Sequence, residues 1–351
     1  MNLMNIFKTG WSSGRMSEND RKKVFWYLKR KTSYTAWARA AAAFDDFSLI
    51  FKKQVVEEPR APGPFFAPYE WDVQYIDILK AQVWFEQGLE VLRKGDRSVW
   101  LYNGRGVLRD ALMTGSYWFT ELIYGGERCD HEYFGKYLDE LKTSIRKFSK
   151  AQDDVGYIQS MMIDTPAPEF WGEWLECVLN SEVYPRNPDP GFPQAKYGSP
   201  LVYPHPLPDV PAAARDLTIR TGEPVPTDGI YEPQVKDGCM NYLLKDTDAP
   251  SLAEESGLSR PVAWKLIWED IRYIDGHIPV EERSYFVSEH TPEVVQTMIG
   301  FDVVSKLSGE VCPLDGFWAV MDEIDTKQTI RRGAKMPQSR ERDVTWVWVR
   351  K

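Results

Sequence analysis

The sequence predicts an α+β protein in which an N-terminal all-α helical domain is followed by a C-terminal domain of two repeated small antiparallel β modules. Three observations lead to this fold class. Apolar residues recur at helical spacing in the first half, nine prolines cluster after it, and an eleven-residue pattern then occurs twice at an offset of 87. We expect a helical domain over 1–182, a proline-rich connector over 183–211 and a repeated β domain over 212–351. The two copies of the β module are expected at about 215–270 and 303–351.

Helices are predicted where apolar side chains return every three or four residues. Ser17 and Asp20 resemble a capping box, which would open the first helix. The alanine-rich run at 36–43 has high helix propensity, and a further long helix lies between Pro68 and Gly95. Later segments bring the expected total to six or seven helices, and their apolar positions include Leu108 with Leu122, Leu138 with Phe148, and Phe170 with Leu175.

The connector is defined by nine prolines between residues 184 and 211. Proline lacks a backbone N–H, so this density excludes regular helix and any central strand. Four aromatic residues are interleaved with the prolines, namely Tyr184, Phe192, Tyr197 and Tyr203. We therefore expect the connector to pack against a surface and not to act as a free tether.

The internal repeat relates residues 221–231 to residues 308–318. Both share Ser/Thr-Gly-Glu-x-x-Pro-x-Asp-Gly, followed by an apolar residue and then Tyr or Trp. Trp264 matches Trp346 at an offset of 82, so the second copy has lost five loop residues. Pro-x-Asp-Gly predicts a tight turn, with Gly at a positive dihedral angle, before a strand led by an aromatic residue. Each copy should form a small antiparallel sheet, with a helical stretch at about 292–307 between them.

Composition and cysteine usage indicate a soluble cytoplasmic protein. Hydrophobic residues make up 43% and charged residues 27%, which is ordinary globular usage. The N-terminus lacks the apolar core of a signal peptide, and no segment reaches the roughly 20 apolar residues that a spanning helix needs. The cysteines are widely separated, so free thiols in a reducing compartment are expected at Cys129, Cys177, Cys239 and Cys312.

Charge is distributed unevenly along the chain. Residues 223–325 contain 21 Asp or Glu against 7 Lys or Arg, a net of −14, whereas residues 1–53 carry 11 basic against 4 acidic side chains. An acidic surface repels nucleic-acid phosphates and attracts basic partners. A solvated, solubilising surface explains such an excess equally well. Its concentration in the repeat domain favours a protein partner.

The candidate partner-binding residues combine carboxylates around the first copy with one aromatic residue from each copy. We expect the carboxylates to form an acidic rim that steers a basic partner, and the aromatic side chains to anchor it. Aromatic residues at such spacing more often belong to a core, and that reading stays open. The ten candidates are Glu223, Asp228, Tyr231, Glu232, Asp237, Asp246, Asp248, Glu269, Asp270 and Trp318.

No catalytic, cofactor-binding or metal-binding residues are predicted. The four histidines lack metal-ligand spacing. Cys129, Asp130 and His131 form one local cluster, but neighbouring side chains diverge, and a helix cap by Asp130 explains it better. The segment Asn-Gly-Arg-Gly at 103–106 lacks the third glycine of a phosphate loop and is interpreted as a bend. Carboxylate pairs such as that at 254–255 could serve a hydrolase, although nothing singles out two of them.

The repeat domain resembles a known group of proteins. The segments that carry the resemblance are TGEPVPTDGIYEP at 221–233, CMNYLLKDTDAP at 239–250 and WKLIWED at 264–270. They resemble the immunity proteins of bacterial polymorphic toxin systems, in particular immunity protein 71 and immunity protein 72, chiefly over 215–351. The resemblance implies an antitoxin that binds a cognate secreted toxin, often one delivered by a type VI secretion apparatus. It implies no cofactor and no catalysis.

The leading hypothesis is therefore a cytoplasmic immunity protein that occludes the active site of a toxin. Many intracellular toxins are basic nucleases, which an acidic surface would suit; neither nucleic acid nor a membrane is an expected partner of this chain. An effector adaptor or chaperone of a secretion system is the first alternative, and would bind the toxin without neutralising it. A carbohydrate-active hydrolase that uses two carboxylates of the repeat domain is the second.

Overall fold

The computed structural model describes residues 17–57, 71–101, 106–124, 135–155, 201–213, 216–235, 238–253, 259–286, 303–323 and 326–350. Over these residues, five α-helices are followed by two four-stranded antiparallel sheets. The predicted α+β class, with a helical N-terminal part and a β C-terminal part, is confirmed. The predicted domain limits, which fall partly outside the described residues, stay predictions.

The helices begin and end close to the limits that the apolar pattern predicts. The capping box is present, because the Ser17 hydroxyl accepts the amide of Asp20 and the Asp20 carboxylate accepts the amide of Ser17, each at 3.1 Å. The predicted helix around Phe170 lies outside the described residues. The five helices are α1 (Glu18–Lys31), α2 (Tyr34–Glu57), α3 (Trp71–Leu92), α4 (Val107–Tyr124) and α5 (Leu138–Asp153).

The strands form two sheets with the same topology. The first has the order β1-β6-β2-β3 and the second the order β7-β10-β8-β9, while β4 and β5 form a separate hairpin. The helix predicted at 292–307 is wrong at its end, where Ser305–Leu307 pairs with β10 as a strand; residues 292–302 are outside the described part. The strands are β1 (Thr218–Arg220), β2 (Gly229–Pro233), β3 (Asn241–Leu243), β4 (Leu252–Ala253), β5 (Ser259–Arg260), β6 (Ala263–Glu269), β7 (Ser305–Leu307), β8 (Gly316–Val320), β9 (Lys327–Ile330) and β10 (Thr345–Arg350).

The two sheets are closed by the same hydrogen bonds. Trp264 Nε1 donates to the carbonyl of Pro250 at 2.7 Å, and Trp346 Nε1 donates to the carbonyl of Pro337 at 2.8 Å. Backbone amides repeat the correspondence at 2.7–2.8 Å, from Gly222 to Ala249 and Gly309 to Met336, and from Val225 to Thr247 and Cys312 to Ala334. The residues that the two copies share are therefore those that close the turns and fill the core.

The pattern predicts a positive φ at Gly229 and Gly316, and only Gly316 has one. Gly222 and its counterpart Gly309 have φ of 83° and 84°, in the region that favours glycine. Gly229 has no positive φ, so that prediction is wrong there, although its counterpart Gly316 has φ 148°. Glycine is required at 229 for another reason, since a Cβ would lie 2.3 Å from the carbonyl oxygen of Trp268.

One compact unit contains α1, the described part of the connector and the first sheet. Residues 24–28 of α1 are all buried, and Phe25 meets Trp268 of β6 edge to face at 6.1 Å. Each large apolar side chain buried in this way contributes about 1.5–3 kcal/mol. Tyr203 of the connector packs against Trp26 at 5.1 Å, so the connector does contact a surface at this point.

The other compact unit contains α2 to α5 and the second sheet. Phe44, Phe47 and Phe51 recur along one face of α2 and are completely buried. Phe44 contacts Phe148 of α5 at 5.3 Å, and Phe51 contacts Trp118 of α4 at 4.8 Å. Helix α3 packs on β10 as well, so the second sheet is covered by a helix of the same unit.

Candidate partner-binding surface

Three of the predicted carboxylates lie on two loops that are hydrogen-bonded to each other at one end of the first sheet. Glu223 is exposed, and its carboxylate accepts the amide of Arg220 at 2.8 Å. Asp246 and Asp248 are exposed on the loop after β3, where the amide of Asp246 donates to the carbonyl of Val225 at 2.9 Å. We call Glu223, Asp246 and Asp248 the acidic loop surface. Its backbone is fixed by these bonds, so the three carboxylates are held on an ordered turn.

Asp246 occupies a backbone position that usually belongs to glycine. Its φ is 64°, and the residue at the same place in the second copy is Gly333, with φ 85°. A left-handed conformation costs a residue with a Cβ about 1 kcal/mol, although Asp tolerates it better than most. The first copy thus carries an exposed carboxylate where the fold alone would favour glycine.

Two further candidates are half-buried and accept hydrogen bonds from the loops themselves. The carboxylate of Asp228 accepts the amide of Lys245 at 2.9 Å, as its counterpart Asp315 accepts an amide in the second copy at 2.8 Å. The carboxylate of Glu269 accepts the hydroxyl of Thr227 at 3.0 Å. Both side chains therefore help to hold the acidic loop surface in place.

Glu232 is engaged in an ion pair with α1. Arg21 donates to its two carboxylate oxygens from Nε at 2.9 Å and from a terminal nitrogen at 3.0 Å. Burial alone would lower the pKa of Arg21, but the hydrogen bonds and the charges of Glu232 and Glu18 outweigh it and raise that pKa. This bidentate pair links α1 to β2 and leaves Glu232 less available to a partner.

Three candidates are buried and one is outside the described residues. Tyr231 and Trp318 are completely buried and occupy matching places, where Tyr231 donates to the carbonyl of Thr227 at 2.9 Å and Trp318 to that of Leu314 at 3.3 Å. Burial raises the pKa of the Tyr231 phenol. These aromatic side chains fill the two module cores, and neither is exposed to a partner. The third buried candidate is Asp270, and Asp237 lies outside the described part.

Asp270 belongs to a buried ionic cluster that joins α1 to the first sheet. Arg272 binds both oxygens of Asp270 at 2.8 and 2.7 Å, and its guanidinium lies 3.7 Å from the buried carboxylate of Glu282. The same guanidinium donates to the carbonyls of Lys29 and Thr32, at 2.9 and 3.1 Å. These carbonyls lie at the negative C-terminal end of α1, where a cation is favourable. The cluster is a structural connection inside one unit.

The sequence-level charge count missed a basic surface on the second module. Arg331, Arg332 and Lys335 are all exposed on the loop after β9. Residues 326–351 carry eight Lys or Arg against two Asp or Glu, so the acidic character ends at about residue 325. Aligning the exposed positions of the two copies one by one would have shown this difference.

The described residues give no support for metal chemistry. They contain no group of three or more His, Cys, Asp or Glu placed to hold a metal ion. Cys239 and Cys312 are free thiols, and burial raises the pKa of Cys239. The cluster predicted at 129–131 lies outside the described residues. No helix in the described ranges is both long and apolar enough to cross a membrane.

Comparison with known proteins identifies two family regions. Residues 15–175 match immunity protein 71, and residues 239–286 match immunity protein 72. The longer match falls in the helical half, whereas the sequence segments that suggested these families lie in the repeat domain. No curated protein and no solved structure matches the chain. The chain is therefore similar to immunity protein families over a region of its helical half and over a region of its first β module.

Proposed function

We propose that this protein is an immunity protein that binds a cognate secreted bacterial toxin and neutralises it by occluding the toxin's active site. The observation that carries the proposal is that a region in each half of the chain, 15–175 and 239–286, matches an immunity protein family. The acidic loop surface is the proposed contact, because its carboxylates are exposed on loops with a fixed backbone. An ordered surface loses little entropy when it binds, which favours affinity.

The proposed toxin surface is basic, as the active site of a nuclease would be. Exposed carboxylates attract such a surface over about 8 Å at physiological ionic strength, and this steering acts on the association rate. Asp228 and Glu269 support the contact by holding the loops. We assign the protein to the cytoplasm of the producing cell, with neither a cofactor nor an enzymatic activity of its own, and with delivery of the toxin by a type VI apparatus.

Co-expression with the toxin encoded beside this gene tests the proposal. Growth should be restored by the wild-type protein, and a complex should survive purification. A variant with Glu223→Lys, Asp246→Lys and Asp248→Lys should associate about tenfold more slowly at low salt, and the difference should shrink as salt rises. The matched control reverses three exposed helical carboxylates, Asp46→Lys, Glu86→Lys and Glu90→Lys.

Each result of the co-expression test has a defined meaning. If the toxin kills equally well with and without the protein and no complex forms, the proposed function is wrong. If a complex forms and the toxin still kills, the adaptor or chaperone function replaces it. If both variants bind alike, the acidic loop surface is only solubilising, and the contact lies elsewhere on the chain.

A further inference from the structure

The loops of the second module that correspond to the acidic loop surface keep Glu310 as the counterpart of Glu223, but otherwise carry a different set of exposed side chains. Six residues form this set, which we call the basic-aliphatic surface: Leu307, Val311, Leu314, Arg331, Arg332 and Lys335. The exposed fractions of the aliphatic side chains are 55% for Leu307, 60% for Val311 and 36% for Leu314. The three cationic residues are all exposed.

The aliphatic and cationic residues lie side by side. Val311 forms an antiparallel β-bridge with Lys335, so these two side chains are cross-strand neighbours. The carboxylate of Asp315, next to Leu314, accepts the amide of Arg332 at 2.8 Å. The loop that carries Val311 and Leu314 and the turn that carries the cations are therefore one surface, and Leu307 precedes this loop at the end of β7.

The first module shows that the fold does not need these side chains. At the offset of 87, the three aliphatic residues correspond to Arg220, Pro224 and Thr227, and Lys335 corresponds to Asp248. Both modules close these loops with the same hydrogen bonds. Single exposed aliphatic residues are common on proteins, but Val311 and Leu314 on one loop, with Leu307 at the end of β7, form an aliphatic patch that the first module folds without. Of the three cations, only Arg332 has a basic counterpart there, Lys245.

We propose that the basic-aliphatic surface binds an acidic segment of a partner protein, one in which aliphatic residues alternate with carboxylates. Aliphatic contacts bordered by Arg are typical of protein interfaces. Nucleic acid fits less well, because the carboxylate of Glu310 borders the surface, where it accepts the amide of Leu307 at 2.7 Å. The inference rests on the proposed function in one respect, namely that the partner is the toxin.

Three variants test the surface by its affinity for the toxin. The charge variant carries Arg331→Glu, Arg332→Glu and Lys335→Glu. The exchange variant carries Leu307→Thr and Leu314→Thr, which remove the aliphatic contacts without adding charge; Thr is the residue that the first module has at the place of Leu314. The control reverses three exposed cations of α5, and consists of Arg146→Glu, Lys147→Glu and Lys150→Glu.

We expect the charge variant and the exchange variant to bind the toxin at least about tenfold more weakly, while the control stays within about twofold of the wild type. Urea unfolding of all three should match the wild type, because every substitution is at an exposed position. Wild-type affinity in both test variants, or an equal loss in the control, would overturn the proposal.

Two other possible ligands of the basic-aliphatic surface, nucleic acid and a second copy of the chain, would give different results with these variants. If a duplex oligonucleotide binds the wild type but not the charge variant, while toxin affinity is unchanged, the surface binds nucleic acid and the proposal is wrong. If sedimentation shows that only the wild type self-associates, again with unchanged toxin affinity, the occupant is a second copy and the proposal is equally wrong.

A synthetic peptide of alternating Glu and Leu separates this inference from the proposed function. If the wild type does not bind the toxin, the proposed function fails, and peptide affinity decides the inference on its own. Binding of the peptide by the wild type, lost in the charge variant, would support the basic-aliphatic surface. Equal binding by both, or no binding by the wild type, would overturn it.

Discussion

Replacement of Arg272 by Met should strongly destabilise the unit that contains α1 and the first sheet. The guanidinium is almost completely buried and contacts two buried carboxylates, those of Asp270 and Glu282. It also donates to the carbonyls of Lys29 and Thr32 at the end of α1. Methionine fills a similar volume but supplies none of these donors. Removal of one member of a buried ion pair costs about 3–5 kcal/mol, and we expect a loss of that order.

The assay is urea denaturation followed by tryptophan fluorescence, with hydrogen exchange to locate the effect. Amides of α1 should exchange faster in Arg272→Met, because the cation that binds the last carbonyls of the helix is gone. A double-mutant cycle with Asp270→Asn should show a coupling energy above about 1 kcal/mol, since the two side chains form two hydrogen bonds.

A solvent-exposed pair provides the matched control. Lys94 and Glu90 form an ion pair at 2.8 Å, with side chains that are 68% and 69% exposed. Lys94→Met should cost less than about 1 kcal/mol, because water screens such a pair. If Arg272→Met is no more destabilising than Lys94→Met, the cluster contributes little and the reasoning from burial is refuted.

Three smaller predictions concern single positions. Gly229→Ala should lower the free energy of unfolding by about 1 kcal/mol more than Gly222→Ala does, because a Cβ at 229 meets a backbone oxygen, whereas position 222 has open space and only a positive φ. The reverse order in urea denaturation would show that the backbone dihedral angle matters more than the steric contact. Asp246→Gly should leave the free energy of unfolding unchanged or raise it by up to about 1 kcal/mol, because glycine adopts the positive φ of this position without strain. The same change should weaken toxin binding. A loss of stability would contradict the argument that Asp246 is strained. Burial lowers the pKa of Lys80, so the folded state binds its proton less tightly than the unfolded chain and stability should rise with pH up to about 10.5. Lys80→Met should flatten that rise, as followed by thermal melts at several pH values.

The helices and the two sheets could be predicted because their signals are local. Apolar spacing locates α1 to α5, and the repeated pattern of turn and aromatic residues locates both sheets. The packing of α1 on the first sheet could not be predicted, because it depends on Arg272 reaching carbonyls some 240 residues away in the chain. The spacing of apolar residues along the chain does not predict contacts between residues so far apart in sequence.

The candidate site could be predicted only in part, because a charge count treats every carboxylate alike. Asp270 contributes to the acidic excess as much as Asp248 does, yet the first is buried in an ion pair and the second is exposed. The shortened loop of the second copy is another example. It turns through Arg340 and Glu341, both at positive φ, where sequence rules would expect Asn and Gly.

The two modules separate the requirements of folding from those of recognition within one chain. The turn-closing bonds and the core positions are equivalent in both, down to Trp264 and Trp346 on equivalent carbonyls. Some exposed positions differ in charge, as Asp248 and Lys335 show, while others agree, as Glu223 with Glu310 and Lys245 with Arg332 do. Under the proposed function, a partner that presents basic residues to one module and acidic residues to the other accounts for the positions that differ. An exchange of these loop residues between the modules should then abolish toxin binding without unfolding either sheet, whereas a merely solubilising surface would tolerate it.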